Sequence, residues 1–202
     1  MTRAVATLFA FLLATLPTIA SDWSKVAERL QKSTFELQSY EGDTYCSGWV
    51  IDNKRDYAMT AEHCVVAFAF PIVDGIEATI EWQDPLLDAA VLHVPGIDRP
   101  DLPVGKPIKV GEEIGMFGFA REVGFYGHFR VGHVSAVNAA VDGVPGPWIV
   151  TDQPVIGGMS GGPAVNWDGK VVSMNQRSDR KLSAIGRPIA EIYAATKKFW
   201  RK

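Results

Sequence analysis

The chain has 202 residues, 47% hydrophobic and 21% charged, with a formal net charge of −3. That is enough apolar material for one sizeable core or two small lobes packed together. No long run of Lys or Arg occurs, so the clustered positive field that phosphate binding needs is missing, and nucleic acid is not an expected partner.

In chain order, residues 1–20 read as an export signal. Arg3 gives a positive start, an apolar stretch runs from Ala4 to Leu16, and Pro17 breaks it. Thr18-Ile19-Ala20 then offers small residues for cleavage after Ala20. The alternative is a retained membrane anchor. The stretch is short against the roughly 20 apolar residues a span requires, and Thr7, Thr15 and Pro17 interrupt it. Residues 21–202 are then the mature protein, periplasmic or secreted, with no stable membrane span. Cys46 and Cys64 are the only cysteines. In an exported protein an even pair points to one disulfide, with two buried free thiols as the alternative.

A helix is expected over Ser21 to Lys32, where Trp23, Val26, Ala27 and Leu30 share a face and Ser21 or Asp22 supplies a cap. From Thr34 the pattern turns to short apolar runs between turn residues. Strands are expected at Thr34–Gln38, Tyr45–Ile51, Tyr57–Thr60, Glu77–Trp82 and Ala89–Val94. A connector with Pro and Gly runs from Pro95 to Pro107. A second set follows at Glu113–Phe119, His128–Val137, Trp148–Thr151, Gly162–Asn166, Lys170–Asn175 and Ala184–Pro188. A helix closes the chain over about 189–200. Many short strands in two sets predict an all-β protein of two antiparallel barrels, at about 34–95 and 108–188, with a cleft between them.

Three segments carry chemistry. Gly157-Gly158-Met159-Ser160-Gly161-Gly162-Pro163 surrounds a serine with glycines that permit a sharp turn and free backbone N–H groups to face a developing oxyanion. A Gly-rich turn that happens to contain serine is the bland alternative. Thr60-Ala61-Glu62-His63-Cys64 places a histidine just past a strand end, where it can serve as general base and then acid. Asp88, at the head of the apolar strand Ala89–Val94, needs a partner if buried, and an imidazole N–H supplies one. His63 or Asp88 alone would be unremarkable; the order His, Asp, Ser across two strand sets is what joins them.

These segments resemble those of the chymotrypsin-fold serine endopeptidases, and most closely the HtrA-type branch. Thr60-Ala61-Glu62-His63-Cys64 resembles Thr-Ala-Ala-His-Cys of trypsins, with Glu62 as the departure. Cys46-Ser47-Gly48-Trp49-Val50 resembles the strand whose cysteine pairs with the one after the histidine. Asp88-Ala89-Ala90-Val91-Leu92 resembles Asp-Ile-Ala-Val-Leu of HtrA proteases, and Thr151 to Asn166 aligns without a gap to the HtrA nucleophile segment. The resemblance implies two six-stranded barrels and a His63, Asp88 and Ser160 triad. It further implies an oxyanion hole from the N–H groups of Gly158 and Ser160, and peptide-bond cleavage through an acyl-enzyme with no metal or cofactor. It implies polypeptide substrates and leaves the oligomeric state undetermined.

Two features depart from the pattern. The sequence ends at Lys202 without the PDZ domain that HtrA proteases usually carry, and Met159 stands where the family usually has Asn or Asp. By the same resemblance, Pro154, Val155 and Ile156 would face Ser173, Met174 and Asn175 across the substrate pocket. With no carboxylate at its floor, small or medium aliphatic side chains are expected there. His128 and His133 lie five apart in a strand and so on opposite faces, which argues against a shared metal. A peptide-binding pseudoprotease and an esterase are the competing functions. The intact triad counts against the first, and the residue order and two-barrel pattern count against the second.

Overall fold

The structure is a computed structural model that describes residues 22–41, 44–66, 70–121, 124, 126–141, 144–178 and 183–200. The expected signal, residues 1–20, lies outside the described residues. Helix α1 (Ser24–Ser33) starts where Asp22 Oδ1 accepts the Ser24 N–H at 3.1 Å. It buries Leu30, and Trp23 just before it packs on Phe129 and edge-on to Trp167.

The first lobe contains β1 (Thr34–Gln38), β2 (Thr44–Asp52), β3 (Tyr57–Thr60), β4 (Ile72–Val73), β5 (Ile76–Glu77), β6 (Thr79–Asp84) and β7 (Ala89–His93). They form one antiparallel sheet in the order β5-β4-β1-β2-β3-β7-β6. Phe35, Leu37, Trp49, Val50, Met59, Val91 and Leu92 make its core. The expected six-stranded barrel takes the form of a curled sheet: β5 and β6 stand at opposite ends of the strand order, yet only Ala78 separates them in the chain, so together they pair with β4 on one side and β7 on the other. The turn between β4 and β5 is Asp74-Gly75, both at positive φ. The expected strand Glu77–Trp82 begins one residue earlier, at Ile76, and is interrupted at Ala78, whose N–H donates to Pro71 O at 2.8 Å and so prolongs the β4–β5 pairing.

The second lobe contains β8 (Glu113–Ala120), β9 (Tyr126–Val141), β10 (Val144–Thr151), β11 (Pro163–Val165), β12 (Val171–Ser178) and β13 (Ala184–Pro188). These close into a barrel in the order β10-β13-β12-β11-β8-β9 around Ile114, Met116, Val134, Ile149, Met159, Ala164 and Val172. The connector is bonded to both lobes: Leu102 N–H donates to Val50 O at 3.0 Å, and Val171 N–H to Pro103 O at 2.8 Å. The closing helix comes as α2 (Ile189–Ala195) and α3 (Lys197–Trp200). They divide at Thr196, whose hydroxyl donates back to Ile192 O at 2.7 Å and so competes with the helical ladder. Among the described residues no helix is long and apolar enough to cross a membrane.

Candidate active site

His63 sits in a single 3-10 turn, Glu62–Cys64, directly after β3. The turn is tied down by a disulfide between Cys64 and Cys46 of β2, with Cα atoms 5.9 Å apart. The loop it closes is of the size for which chain-entropy arguments give about 3 kcal/mol. Both sulfurs lie within 4.8 Å of a His63 ring nitrogen. Bonded to each other, they are not the thiolates that a zinc site would use.

Asp88 stands between β6 and β7 at a positive φ of 49°. The turn leading to it is held by Asp84, whose Oδ1 accepts the N–H groups of Leu86 and Leu87 at 2.8 and 3.1 Å. The buried Asp88 carboxylate lies 2.8 and 2.9 Å from His63 Nδ1 and accepts the His63 backbone N–H at 2.9 Å. Burial pushes this carboxyl up, but the hydrogen bonds and charge of His63, with the Arg177 guanidinium farther off, outweigh it and hold it below the ordinary carboxylate range. An anionic Asp88 holds the histidine with Nδ1 protonated and Nε2 left as the basic nitrogen.

Ser160 approaches from the second lobe. Its carbonyl accepts the Ser47 N–H of β2 at 2.8 Å, and Cys64 Sγ is 3.8 Å from the same oxygen. Its hydroxyl donates to Gln176 O on β12 at 3.0 Å. The preceding peptides are also held by their carbonyls. Gly157 O accepts from Arg121 N–H at 2.7 Å, and Met159 O from Gly162 N–H at 3.1 Å. A trans peptide points its N–H away from its carbonyl. The N–H groups of Gly158 and Ser160 are thereby turned from those partners, and neither has a protein acceptor among the described residues. Two such donors can receive an anionic oxygen. Gly158 has φ 97°, and a Cβ there would fall on Phe119 O, so the close turn needs glycine. Met159 is fully buried in the core of the barrel, where a thioether packs without the partner a carboxylate would demand.

The cavity beside Ser160 has a volume of about 700 Å³ and is lined by Arg130, Pro154, Val155, Ile156, Gly157, Gln176, Arg177 and Ser178. Val155 and Ile156, expected at the substrate pocket, form part of its wall. Ser173, Met174 and Asn175 do not line it. All three are buried: the Ser173 hydroxyl donates to Arg187 O at 3.0 Å, Asn175 Nδ2 donates to Phe117 O at 3.1 Å, and Met174 is in the core. The far wall is the next part of β12, Gln176 to Ser178. The middle of this strand crosses the barrel wall, and the end that follows emerges into the cleft.

Four further residues belong to this site, and three of them, Gln176, Arg130 and Arg177, carry no local sequence signal. The Ser47 hydroxyl donates to Gly158 O and accepts the Phe119 N–H, each at 2.8 Å. The buried Gln176 amide donates to Leu87 O and Asp88 O at 2.8 and 2.7 Å. Arg130 and Arg177 reach the cavity from two different strands. Only a polar residue inside an apolar run, as at Ser47, hints at such a role.

Comparisons with known proteins bear on the family and the fold. Residues 46–174 match the family described as trypsin-like peptidase domain. A probable periplasmic serine endoprotease DegP-like of Pseudomonas fulva is 34% identical over 146 residues, covering 68% of this chain and 30% of that protein. A protein of the same description from Ectopseudomonas mendocina is 35% identical over 147 residues with the same coverage. The chain thus spans 30% of the length of the curated relatives it matches. In fold it is similar to the serine endoprotease of Yersinia pestis, with a TM-score of 0.75 at 20% identity, covering 89% of this chain and 67% of that one. It is also similar to the HtrA-type protease AlgW in complex with a decapeptide, with a TM-score of 0.76 at 19% identity, covering 87% and 66%.

Proposed function

The chain belongs to the trypsin-like peptidase family, and from that premise we propose that it is a serine endopeptidase in which His63, Asp88 and Ser160 form the catalytic triad. The observation that carries the reading is the grip of one buried carboxylate on both the ring and the backbone of His63, at 2.8–2.9 Å. It fixes the tautomer a general base needs. The reading requires the Ser160 side chain to turn from Gln176 O so that its hydroxyl meets His63 Nε2; hydrogen bonds in an unliganded site often tighten only when substrate arrives. His63 then takes the hydroxyl proton as Ser160 Oγ attacks the peptide carbonyl. The oxygen left negative is received by the N–H groups of Gly158 and Ser160. Collapse expels the amine, which takes the proton from His63, and water releases the acyl group by the same path in reverse.

The disulfide and the relatives described as periplasmic support an exported protein, and residues 1–20 have the composition of its signal. The test uses the exported, disulfide-bonded protein. A fluorophosphonate probe should label Ser160, casein should be cut, and Ser160→Ala should lose both. Casein cleavage that persists in purified Ser160→Ala would refute the reading. Labelling without cleavage of any polypeptide would favour an esterase.

A further inference from the structure

Among the described residues, the cavity beside Ser160 carries two guanidinium groups and no carboxylate. Arg130 comes from β9 and is partly buried, with Nη1 donating to Pro154 O at 3.3 Å. Arg177 comes from the emergent end of β12 and is exposed. Elsewhere in the molecule Arg55, Arg99 and Arg187 each find a carboxylate, Asp52, Asp74 and Glu191. Arg130 and Arg177 have none within 4.0 Å among the described residues. Asp152 is the acid nearest Pro154 in the chain, and it is turned to His133: its Oδ1 accepts the His133 N–H at 2.7 Å, and its Oδ2 lies 3.3 Å from His133 Nδ1. Two cations face one cavity from separate strands, and partial burial without a counter-ion is costly.

We propose that this cavity selects an acidic side chain, glutamate or aspartate, for the residue on the acyl side of the bond to be cut. The proposal rests on the endopeptidase reading and replaces the aliphatic preference expected from the sequence. Val155 and Ile156 cover the methylene groups of the substrate side chain. Arg130, which bonds the Pro154 carbonyl at the cavity wall, meets the carboxylate as a planar fork, and Arg177 adds its charge at the mouth. A charged pair of this kind discriminates by about tenfold to a hundredfold against the uncharged amide of the same shape.

The decisive comparison uses peptide substrates that differ only in Glu or Gln at that residue, with Val and Lys peptides alongside. Glu should exceed Gln in kcat/KM by at least about tenfold. Arg130→Gln should lower kcat/KM for the Glu peptide at least about tenfold more than for the Gln peptide, and Arg130→Lys should restore part of that difference. Raising salt from about 0.05 M to about 0.5 M should erode the Glu preference through screening at the exposed Arg177. Should Arg130→Gln fail to fold, judged by circular dichroism, Arg177→Gln and the salt series give the same reading. An enzyme that cuts peptides but treats Glu no better than Gln or Val overturns the proposal and leaves the endopeptidase reading intact. If no peptide is cut, the endopeptidase reading fails, and product-like peptides ending in Glu or Gln are then titrated against Ser160→Ala by fluorescence anisotropy. Equal affinity for the two overturns the proposal as well, whereas tighter, salt-sensitive binding of the Glu peptide upholds an acid-selective cavity.

Discussion

In the first lobe the two reactive candidates hold each other directly. Asp88 reaches the ring and backbone of His63, and the Cys46–Cys64 disulfide holds the turn on which His63 sits. In the second lobe Ser160 is held by its backbone, and part of the hold comes from across the cleft, through Ser47 N–H and hydroxyl. The first lobe is a curled sheet and the second a closed barrel. The curled sheet carries covalent and ionic restraints at its site, while the closed barrel presents a glycine-rich loop whose orientation depends on a neighbour. A charge pair tolerates little displacement in a buried setting. A loop of free N–H groups must instead stay unsatisfied until an oxyanion forms, so it can be shaped only through its carbonyls.

The largest expected effects come from breaking either half of the reactive set. Ser160→Ala and His63→Ala should each lower kcat by at least about a thousandfold with the fold retained by circular dichroism. Asp88→Asn should cost about as much, because the amide no longer selects the tautomer of His63. A kcat within tenfold of wild type in any of the three would break the comparison at its root. Ser47→Ala asks whether the second lobe's loop leans on the first. With the bonds to Gly158 O and Phe119 N–H lost, kcat should fall about tenfold to a hundredfold with little change in KM. An unchanged kcat would mean that the loop is ordered by its own barrel, through Met159, alone.

Two stability measurements sharpen the contrast. Replacing Cys46 and Cys64 together with Ala should lower stability by about 3 kcal/mol, or about 6–12 °C in Tm, and peptide mapping of the native protein should find the two linked. Asp88 also predicts an acid dependence. Its folded carboxyl titrates below the ordinary value, so its ionisation contributes stability that is fully present above about pH 4 and is lost as pH falls through the lower folded value. Asp88→Asn should flatten the acid limb of a Tm–pH profile, and identical limbs would show that Asp88 ionises alike in both states. Asp84→Asn should have the smallest effect, under about twofold in kcat/KM, because an amide oxygen can still accept the N–H groups of Leu86 and Leu87.

Much of the fold is legible in the amino-acid order. β1, β3 and β13 fall where alternation and turn residues predict them, the Cys46–Cys64 pair is joined, and His63, Asp88 and Ser160 lie just past β3, just before β7 and in the glycine-rich turn. The misses share a cause. Ser173, Met174 and Asn175 belong to the strand that also supplies Gln176 and Arg177, but where a strand leaves the barrel wall depends on its register with β11 and β13, whose pairing with β12 shifts between Ala164 and Val165 and again between Asn175 and Arg177. Arg187 is illegible from the sequence for the same reason. It is buried against the Trp148 ring at 4.0 Å and donates to Leu86 O at 2.9 Å, joining the barrel to the turn before Asp88 across 101 positions of sequence.

By itself the sequence determined what depends on near neighbours: strand periodicity, the glycine turn around Ser160, and the order of His63, Asp88 and Ser160. Hydrophobic alternation and backbone freedom act over a few residues, so the order of residues records them directly. The tertiary structure alone decided that the first lobe's sheet curls until β5 and β6 meet at Ala78, that Ser47 and Gln176 bond across the cleft over 111 and 88 positions, and that Arg130 and Arg177 face one cavity. Those outcomes depend on sheet register and on the packing of one lobe against the other. A shift of one residue in a strand exchanges its faces, and no local pattern of residue types fixes which side chain then points into the cleft.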